Sequence, residues 1–253
     1  MAPTVVYWLL AGGLAGVHVV AGKLRFLQVV PRSRYLSAAG GVSIAYVFVH
    51  LLPEITDRQI ELAASDETAT PLAELTTERE LFLVALAGFA VFYGLERVAV
   101  GSRRATDRQA VVRDAETNTS EPVFWLHTGS FAAYNALVGY LLLYREETGL
   151  ANLLMFAVAM ALHFFVNDYG LREHHREAYT RVGRWILAGA VVAGLAVGFL
   201  VAVPESVVGF LLAFLGGGVV LNVIKEELPE ERESSYWAFA GGLVGYTVLL
   251  LLL

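Results

Sequence analysis

Long apolar segments alternate with short polar connections along almost the whole chain. Each segment is about 20 residues long, the length that a helix needs to cross the roughly 30 Å hydrocarbon core of a bilayer. The pattern predicts eight transmembrane helices, over residues 4–26, 35–54, 80–100, 122–144, 149–171, 183–203, 206–225 and 235–253. We therefore expect an all-α polytopic membrane protein in which residues 1–253 form a single transmembrane domain.

The composition supports this class of protein. Hydrophobic residues make up 57% of the 253 residues and charged residues only 17%, which is too apolar for a soluble domain of this size. The chain has no cysteine, so disulfides and thiolate ligands are excluded. It also has no phosphate-binding glycine loop, HExxH motif or nucleophile elbow, so we expect no enzyme. The lipid bilayer is the first expected partner, and we expect no nucleic-acid partner. The net charge of −6 says little about partners in such a chain, because the position of the charges matters more than their total.

Basic residues are distributed unequally between the two sides of this arrangement. The connections after spans 1, 3, 5 and 7, with the helix ends beside them, hold fifteen of the 18 basic residues: Lys23, Arg25, Arg32, Arg34, Arg97, Arg103, Arg104, Arg108, Arg113, Arg172, Arg176, Arg181, Arg184, Lys225 and Arg232. Arg58, Arg79 and Arg145 fall on the other side, where the 55–79 connection is strongly acidic. The positive-inside rule then places the 101–121 loop in the cytoplasm. We expect a multi-pass protein of the cell membrane with both termini extracytoplasmic.

Two distant spans close with the same Leu-Pro-Glu tripeptide, in FVHLLPEI (48–55) and IKEELPEE (224–231). When Pro53 is aligned with Pro229, Gly41 also aligns with Gly217, and the next spans share AGFAVFY and AGGLVGY. The first tripeptide is expected to end its helix at the outer face and the second at the inner face. Spans 1–3 and 6–8 are therefore predicted to form an inverted repeat around spans 4–5, an architecture that recurs in secondary transporters. The alternative is chance recurrence of glycine-rich helices.

The two central spans concentrate the intramembrane polar residues. Span 4 reads FWLHTGSFAAYNALVGYLL and carries His127 and Asn135, and span 5 reads NLLMFAVAMALHFFVNDYGL and carries His163, Asn167 and Asp168. Polar side chains at bilayer depth cost free energy unless they pair or face water. Facing helices could bring these groups together as nitrogen and oxygen ligands of a divalent first-row metal. The alternative is interhelical hydrogen bonding that holds the two spans together.

The other histidines give weaker evidence of a functional role. His50 and Glu54 share a helix face at the outer end of span 2, either as the first ligands of an arriving metal ion or as a solvated helix end. His18 is single in span 1 and is expected to be a packing or hydrogen-bonding residue. His174 and His175 are expected on a solvated cytoplasmic loop over 172–182. Small-xxx-small patterns permit close helix contact within a protomer or in a homodimer.

These features together resemble the ZIP (Zrt/Irt-like) metal transporters. The resemblance is carried by HLLPE at the end of span 2, AGFAVFYGLERV in span 3 and GGGVVLNVIKEELPEE in span 7, together with eight spans and both termini outside. In that family, span 4 carries His-Asn-x-x-Glu-Gly and span 5 carries His-x-x-x-Glu, which bind the metal at the midplane. The resemblance implies the eight-helix fold and a divalent metal ion, zinc or a related first-row cation, as the substrate, with no other cofactor.

The chain departs from the family pattern at three ligand positions. Asn135 and His163 match, whereas Tyr134 stands in place of a histidine, and Val138 and Asn167 stand in place of glutamates. Two carboxylates and one imidazole are thereby lost, and with them the charge that compensates a desolvated dication. The resemblance therefore implies an altered or weakened metal site.

The expected function is transport of a divalent metal through such a site. The predicted ligands are His163, Asn167 and Asn135, with Asp168 and His127 as auxiliary groups. The alternative is a non-transporting membrane protein on the same scaffold, with a sensing or scaffolding role.

Overall fold

The computed structural model of the protein describes residues 3–21, 34–65, 79–113, 121–144, 149–228 and 234–252. Within these residues every regular element is helical and there is no strand. The described helices are α1 (Thr4–Ala21), α2 (Arg34–Tyr46), α3 (Leu52–Ser65), α4 (Glu80–Arg113), α5 (Glu121–Leu141), α6 (Leu150–Ala178), α7 (Arg184–Leu200), α8 (Glu205–Glu227) and α9 (Tyr236–Leu251), with π-helical segments π1 (Val47–Leu51) and π2 (Tyr179–Gly183). The all-α fold class is as predicted.

Apolar length identifies the protein as membrane-embedded. Six helical stretches among the described residues are long and apolar enough to cross a bilayer: Thr4–Ala21, Arg34–Arg58, Glu80–Ser102, Leu150–Glu173, Tyr179–Leu200 and Glu205–Glu227. The helix α9 is apolar but shorter. The helix α5 is not among the six, and it is the one that carries His127, Thr128 and Asn135 in its interior. Each span predicted from the sequence overlaps one of the described helices.

Helices extend into segments that were predicted as connections. The helix α3 continues to Ser65 and α4 continues to Arg113, so parts of the 55–79 and 101–121 connections are helical. Residues 66–78 and 114–120 lie outside the described part of the chain. These connections are therefore partly helical, which the hydrophobicity pattern did not predict.

The expectation that Leu-Pro-Glu ends a helix is wrong for its first copy. The helix runs through Pro53, and the π1 segment comes immediately before this proline. There the backbone N–H of Leu52 bonds to the carbonyl of Val47, five residues back, rather than four. Proline has no N–H and its ring crowds the preceding helical turn, and a π segment widens that turn, so the helix continues. Pro229 of the second copy lies outside the described residues, beyond the end of α8.

Side-chain contacts fix the relative directions of the helices. The helices α5 and α6 are antiparallel, because Tyr134 contacts His163 while the earlier residue His127 contacts the later residue His175. The other directions follow from pairs of neighbouring residues: Trp8 with Phe199, Tyr144 with Gly198, Met155 with Tyr246, Gly40 with Glu227, Leu51 with Gly216, Ser37 with Ser235, Leu81 with Gly209, and Glu96 with Lys225. The described helices thus alternate: α1, α4, α6 and α8 run one way, and α2–α3, α5, α7 and α9 run the other.

Glycines allow three pairs of parallel helices to touch through their backbones. In each pair, a Cβ added to either glycine would overlap a backbone carbonyl oxygen of the other helix. The glycines are Gly41 and Gly242 for α2 with α9, Gly217 and Gly88 for α8 with α4, and Gly139 and Gly194 for α5 with α7. Small residues of this kind let apolar helices pack closely in lipid, where no hydrophobic driving force brings them together.

All three pairs contain a contact of the same geometry, since Gly139 also lies against the 191–195 turn of α7. Gly41 lies against the 239–243 turn of α9, and Gly217 lies against the 85–89 turn of α4. In each case the nearest atoms are the carbonyl oxygen of the first residue and the amide nitrogen of the last residue of that turn. The α2–α9 and α8–α4 pairs are therefore packed in the same way, although their chain segments are far apart in sequence.

We expect Gly41→Ala and Gly217→Ala to lower the free energy of unfolding by about 1–3 kcal/mol each, because the new methyl group has no space against a backbone. Gly245→Ala on α9 is the matched control, since nothing lies within 4 Å of a Cβ at that position. It should be neutral or stabilising by up to about 1 kcal/mol, the difference in helix propensity between glycine and alanine. Thermal unfolding in detergent measures all three. Equal effects at the three positions would contradict the proposed backbone contacts.

Candidate functional site

Buried polar side chains gather where α1, α5, α6 and α8 meet. Among the described residues of these four helices, the buried ones are His18, His127, Thr128, Asn135, His163, Asn167, Asp168, His175, Asn222 and Glu226. Hydrogen bonds divide several of them into separate clusters, which we call the central cluster, the α1 cluster and the histidine pair. Their membership differs from the predicted ligand set.

The central cluster consists of Tyr134, His163 and Asn167. The Nε2 atom of His163 lies 3.0 Å from the Asn167 amide nitrogen and 3.3 Å from the Tyr134 hydroxyl. Because residues 163 and 167 are one turn apart, they share one face of α6. The Nδ1 atom of His163 and the Oδ1 atom of Asn167 have no hydrogen-bond partner in the described part of the chain. Both side chains are buried, so each unsatisfied atom costs about 1–3 kcal/mol.

The α1 cluster joins His18 to Asp168 and Asn135. The Nδ1 atom of His18 lies 2.9 Å from both carboxylate oxygens of Asp168, and its Nε2 atom lies 3.1 Å from the Asn135 amide nitrogen. The imidazole therefore donates to the carboxylate and accepts from the amide. Two predicted metal ligands, Asn135 and Asp168, are thus engaged by a histidine that the sequence placed only as a packing or hydrogen-bonding residue.

Asn167 and Asp168 are neighbours in sequence but belong to different clusters. Successive residues of an α-helix are about 100° apart around its axis, since one turn takes 3.6 residues. Asn167 bonds to His163 on its own helix, whereas Asp168 bonds to His18 on α1. The ring of His18 also packs on Phe164, with 4.6 Å between ring centroids. Asp168 is therefore bonded to α1 and not to the central cluster.

His127 and His175 form the histidine pair. The Nδ1 atom of His127 lies 3.1 Å from the Nε2 atom of His175, and both residues are buried. The expectation of a solvated loop is wrong for His175, because α6 continues to Ala178 and this residue faces α5. The side chain of His174 lies outside the described part of the structure. The predicted auxiliary ligand His127 therefore pairs with a second histidine rather than with the central cluster.

The predicted outer pair is also engaged by neighbours. The carboxylate of Glu54 is buried and lies 3.3 Å from the guanidinium of Arg58, one turn later in α3. The ring of His50, in π1, lies 5.1 Å from the ring of Tyr46. Any role of Glu54 as a first metal ligand therefore competes with its ion pair.

Asn222 is a buried residue that the sequence analysis did not select. It is 1% exposed, and both its amide nitrogen and its carbonyl oxygen have no hydrogen-bond partner within the described residues. A signal for it does exist in the sequence, namely a single asparagine inside the apolar run GGGVVLNVI. One turn further on, Lys225 forms an ion pair with Glu96 of α4 at 2.7 Å.

The donor set of the central cluster is neutral. No three His, Asp or Glu side chains converge on one point as metal ligands in the ranges that the structure describes. A cation at the central cluster would be held by the imidazole of His163 and the amide oxygen of Asn167, beside the hydroxyl of Tyr134. Neutral oxygens compensate a dication less well than carboxylates do, so this donor set predicts modest affinity.

Comparisons of the chain with protein-family models, with curated proteins and with solved structures find no match.

We expect His18→Leu and Asp168→Leu each to lower the free energy of unfolding by about 2–4 kcal/mol, because each leaves a buried polar partner behind. The double variant should be less destabilised than the sum of the two, because it removes both partners at once. Thermal unfolding of the wild type, the two single variants and the double variant in detergent gives the coupling free energy between the two side chains. Strictly additive losses would show that the two side chains do not stabilise each other.

Proposed function

We propose that the protein is a carrier of a divalent first-row metal ion, as the resemblance to ZIP transporters implies, and that His163 and Asn167 bind this ion. The observation that supports the proposal is the pair of unpartnered atoms, Nδ1 of His163 and Oδ1 of Asn167, in a fully buried cluster. An imidazole nitrogen and an amide oxygen are suitable ligands for such a metal. A bound cation offsets the cost of leaving them unsatisfied. Because the amide nitrogen of Asn167 donates to Nε2 of His163, the ring proton is on Nδ1 in the metal-free protein. Metal binding at Nδ1 therefore requires this proton to move to Nε2 and the amide nitrogen of Asn167 to turn away from the ring.

We further propose that the chain crosses the membrane eight times with both termini outside. The alternating helix directions support this topology, since α2–α3 is continuous through π1 and counts as one crossing. Exposed aromatic rings also gather at the end where α2, α5, α7 and α9 begin, at Tyr35, Trp125, Trp185 and Trp237. Rings of this type are enriched at membrane interfaces. Arg34 and Arg184 begin helices at the same end, which we assign to the cytoplasm.

The inverted repeat belongs to the same proposal. The contact geometry is shared by all three glycine pairs, so the support comes from the residues: Gly41 and Gly217, which contact α9 and α4, are also the glycines that the sequence alignment matches. The partner glycines correspond as Gly242 to Gly88, one residue away from the match of AGGLVGY with AGFAVFY. A rotation about an axis in the membrane plane relates two parallel helix pairs of opposite direction. The two repeats then flank the central helices α5 and α6, where transporters of this architecture bind substrate.

A non-transporting role on the same scaffold is the competing proposal. It is favoured by the hydrogen bonds of Asn135, Asp168 and His127, which engage three of the five predicted ligands with other side chains. On this reading the polar groups hold helices together, and the metal has no part. The two proposals differ in what a metal ion does to the folded protein.

We expect the purified protein to be stabilised against heat by at least one of zinc, manganese, cobalt, iron(II) or cadmium at pH 7.5. A ligand that binds only the folded state raises its stability by mass action. His163→Ala should abolish this effect, and His127→Ala should retain it because His127 is bonded to His175 instead. The effect should weaken on acidification, since imidazole must be deprotonated to bind a metal. No stabilisation of the wild-type protein by any of these metals at millimolar concentration would contradict the carrier proposal.

We expect single cysteines at two exposed positions to report opposite sides of the membrane in this cysteine-free chain. Glu205→Cys, at the start of α8, should react with an impermeant maleimide added to intact cells. Arg181→Cys, in π2, should react only after permeabilisation, because its side holds most of the basic residues. Reaction of Arg181→Cys in intact cells would reverse the proposed orientation.

A further inference from the structure

We infer that Asn222 of α8 is a third ligand of the same cation, so that the site spans the central helices and one flanking helix. This inference rests on the proposed metal-carrier function. The inference starts from the side chain of Asn222, which is 1% exposed and whose two polar atoms have no hydrogen-bond partner within the described residues. The sequence resemblance placed metal ligands on spans 4 and 5 alone, so a ligand on α8 is an addition to that set.

The position of Asn222 along α8 follows from its neighbours on the same face. Gly218 precedes it by one turn and lies against the ring of Tyr134, where an added Cβ would be 3.2 Å from Cε2. The hydroxyl of that tyrosine is 3.3 Å from His163. This face of α8 therefore looks toward the central cluster, with Gly218 at the level of His163.

The other end of the same face is fixed by Glu226, one turn after Asn222. Its carboxylate lies against Gly170 of α6, where an added Cβ would overlap the Oε1 atom. Since α6 and α8 run in the same direction, Asn222 lies at a level between His163 and Gly170. Asn167 occupies that level on α6, and residues 163, 167 and 170 share one helix face. The two asparagines therefore lie at one level on facing helices, with no hydrogen bond joining them.

The three side chains together provide one imidazole nitrogen and two amide oxygens. Imidazole suits zinc, iron and copper, whereas carbonyl oxygens suit manganese, magnesium and calcium. A mixed set of this kind fits a divalent first-row cation such as manganese, iron(II) or zinc, with water completing its coordination. An asparagine with both polar atoms unsatisfied has no stabilising role of its own, because burial penalises such atoms. Coordination by the Oδ1 atom accounts for its presence in an apolar helix.

A ligand on α8 would connect two groups of helices through the bound cation. The helix α8 packs on α4 through Gly217 and Gly88, whereas His163 and Asn167 lie on α6. A cation bound by all three ligands therefore ties the α4–α8 pair to the central helices. Alternating access by rocking of a flanking pair against the centre then depends on whether this bond is made.

The experiment replaces Asn222 by leucine and by aspartate, and follows thermal unfolding with and without manganese(II) or zinc(II). Asn222→Leu should keep or raise the melting temperature of the metal-free protein, since it removes two unsatisfied polar atoms. It should weaken metal binding at least tenfold. Asn135→Leu is the matched stability control: it removes an amide that is bonded to His18 and should lower the metal-free melting temperature.

Asn222→Asp provides the opposite test, because a carboxylate compensates a dication better than an amide. It should bind the same metal at least tenfold more tightly than wild type, even if the metal-free protein is less stable. Unchanged metal binding in both Asn222 variants, with a wild-type protein that does bind, overturns the role of Asn222 and leaves the carrier proposal standing. Failure of the wild-type protein to bind manganese, zinc, cobalt, iron(II) or cadmium overturns both proposals. A fall in metal-free stability in Asn222→Leu, with no loss of binding, assigns the residue to packing alone.

Discussion

Pairing of buried polar groups by other helices is the constraint on which the interior of this protein depends. Within an apolar helix bundle there is little water to satisfy an imidazole or an amide. His18 forms hydrogen bonds with both Asp168 and Asn135, and His127 forms one with His175 through its Nδ1 atom. The same constraint leaves His163, Asn167 and Asn222 with unsatisfied atoms. Satisfied groups stabilise the helix contacts, and in the proposed function the unsatisfied atoms of these three residues bind the cation.

The glycine contacts bring helices close together and so help to position these polar groups. Gly217 and Gly88 bring α8 and α4 into backbone contact, and Gly139 and Gly194 do the same for α5 and α7. Because α8 contacts α4 through its glycine face, another face of α8 can contact the central helices α5 and α6. One such face of α8 carries Gly218 against Tyr134 and Glu226 against Gly170. Backbone packing thus positions the polar side chains that the proposed site uses.

Local patterns in the sequence predicted the helices, whereas the polar clusters depend on contacts between distant segments. The length of the apolar segments was enough to predict spans that each overlap a helix, because a helix in lipid needs an apolar surface. The bond between His18 and Asp168 joins residues 150 positions apart, and no local pattern indicates it. His175 was assigned to solvent because charged neighbours surround it in sequence, but the helix turns it inward. Likewise, Pro53 was expected to end its helix, and the π1 segment before it keeps the helix intact.

The central claim is that one imidazole and amide oxygens hold a divalent cation between α5, α6 and α8. X-ray absorption spectroscopy of the protein loaded with one equivalent of zinc or manganese counts these ligands directly. We predict a single imidazole, with the remaining ligands being oxygens at about 2.0–2.2 Å for zinc, and we predict that the imidazole contribution disappears in His163→Ala. A spectrum with two imidazoles would place the metal at the histidine pair, and one with oxygen ligands only would place it outside the bundle. Either result would contradict the account.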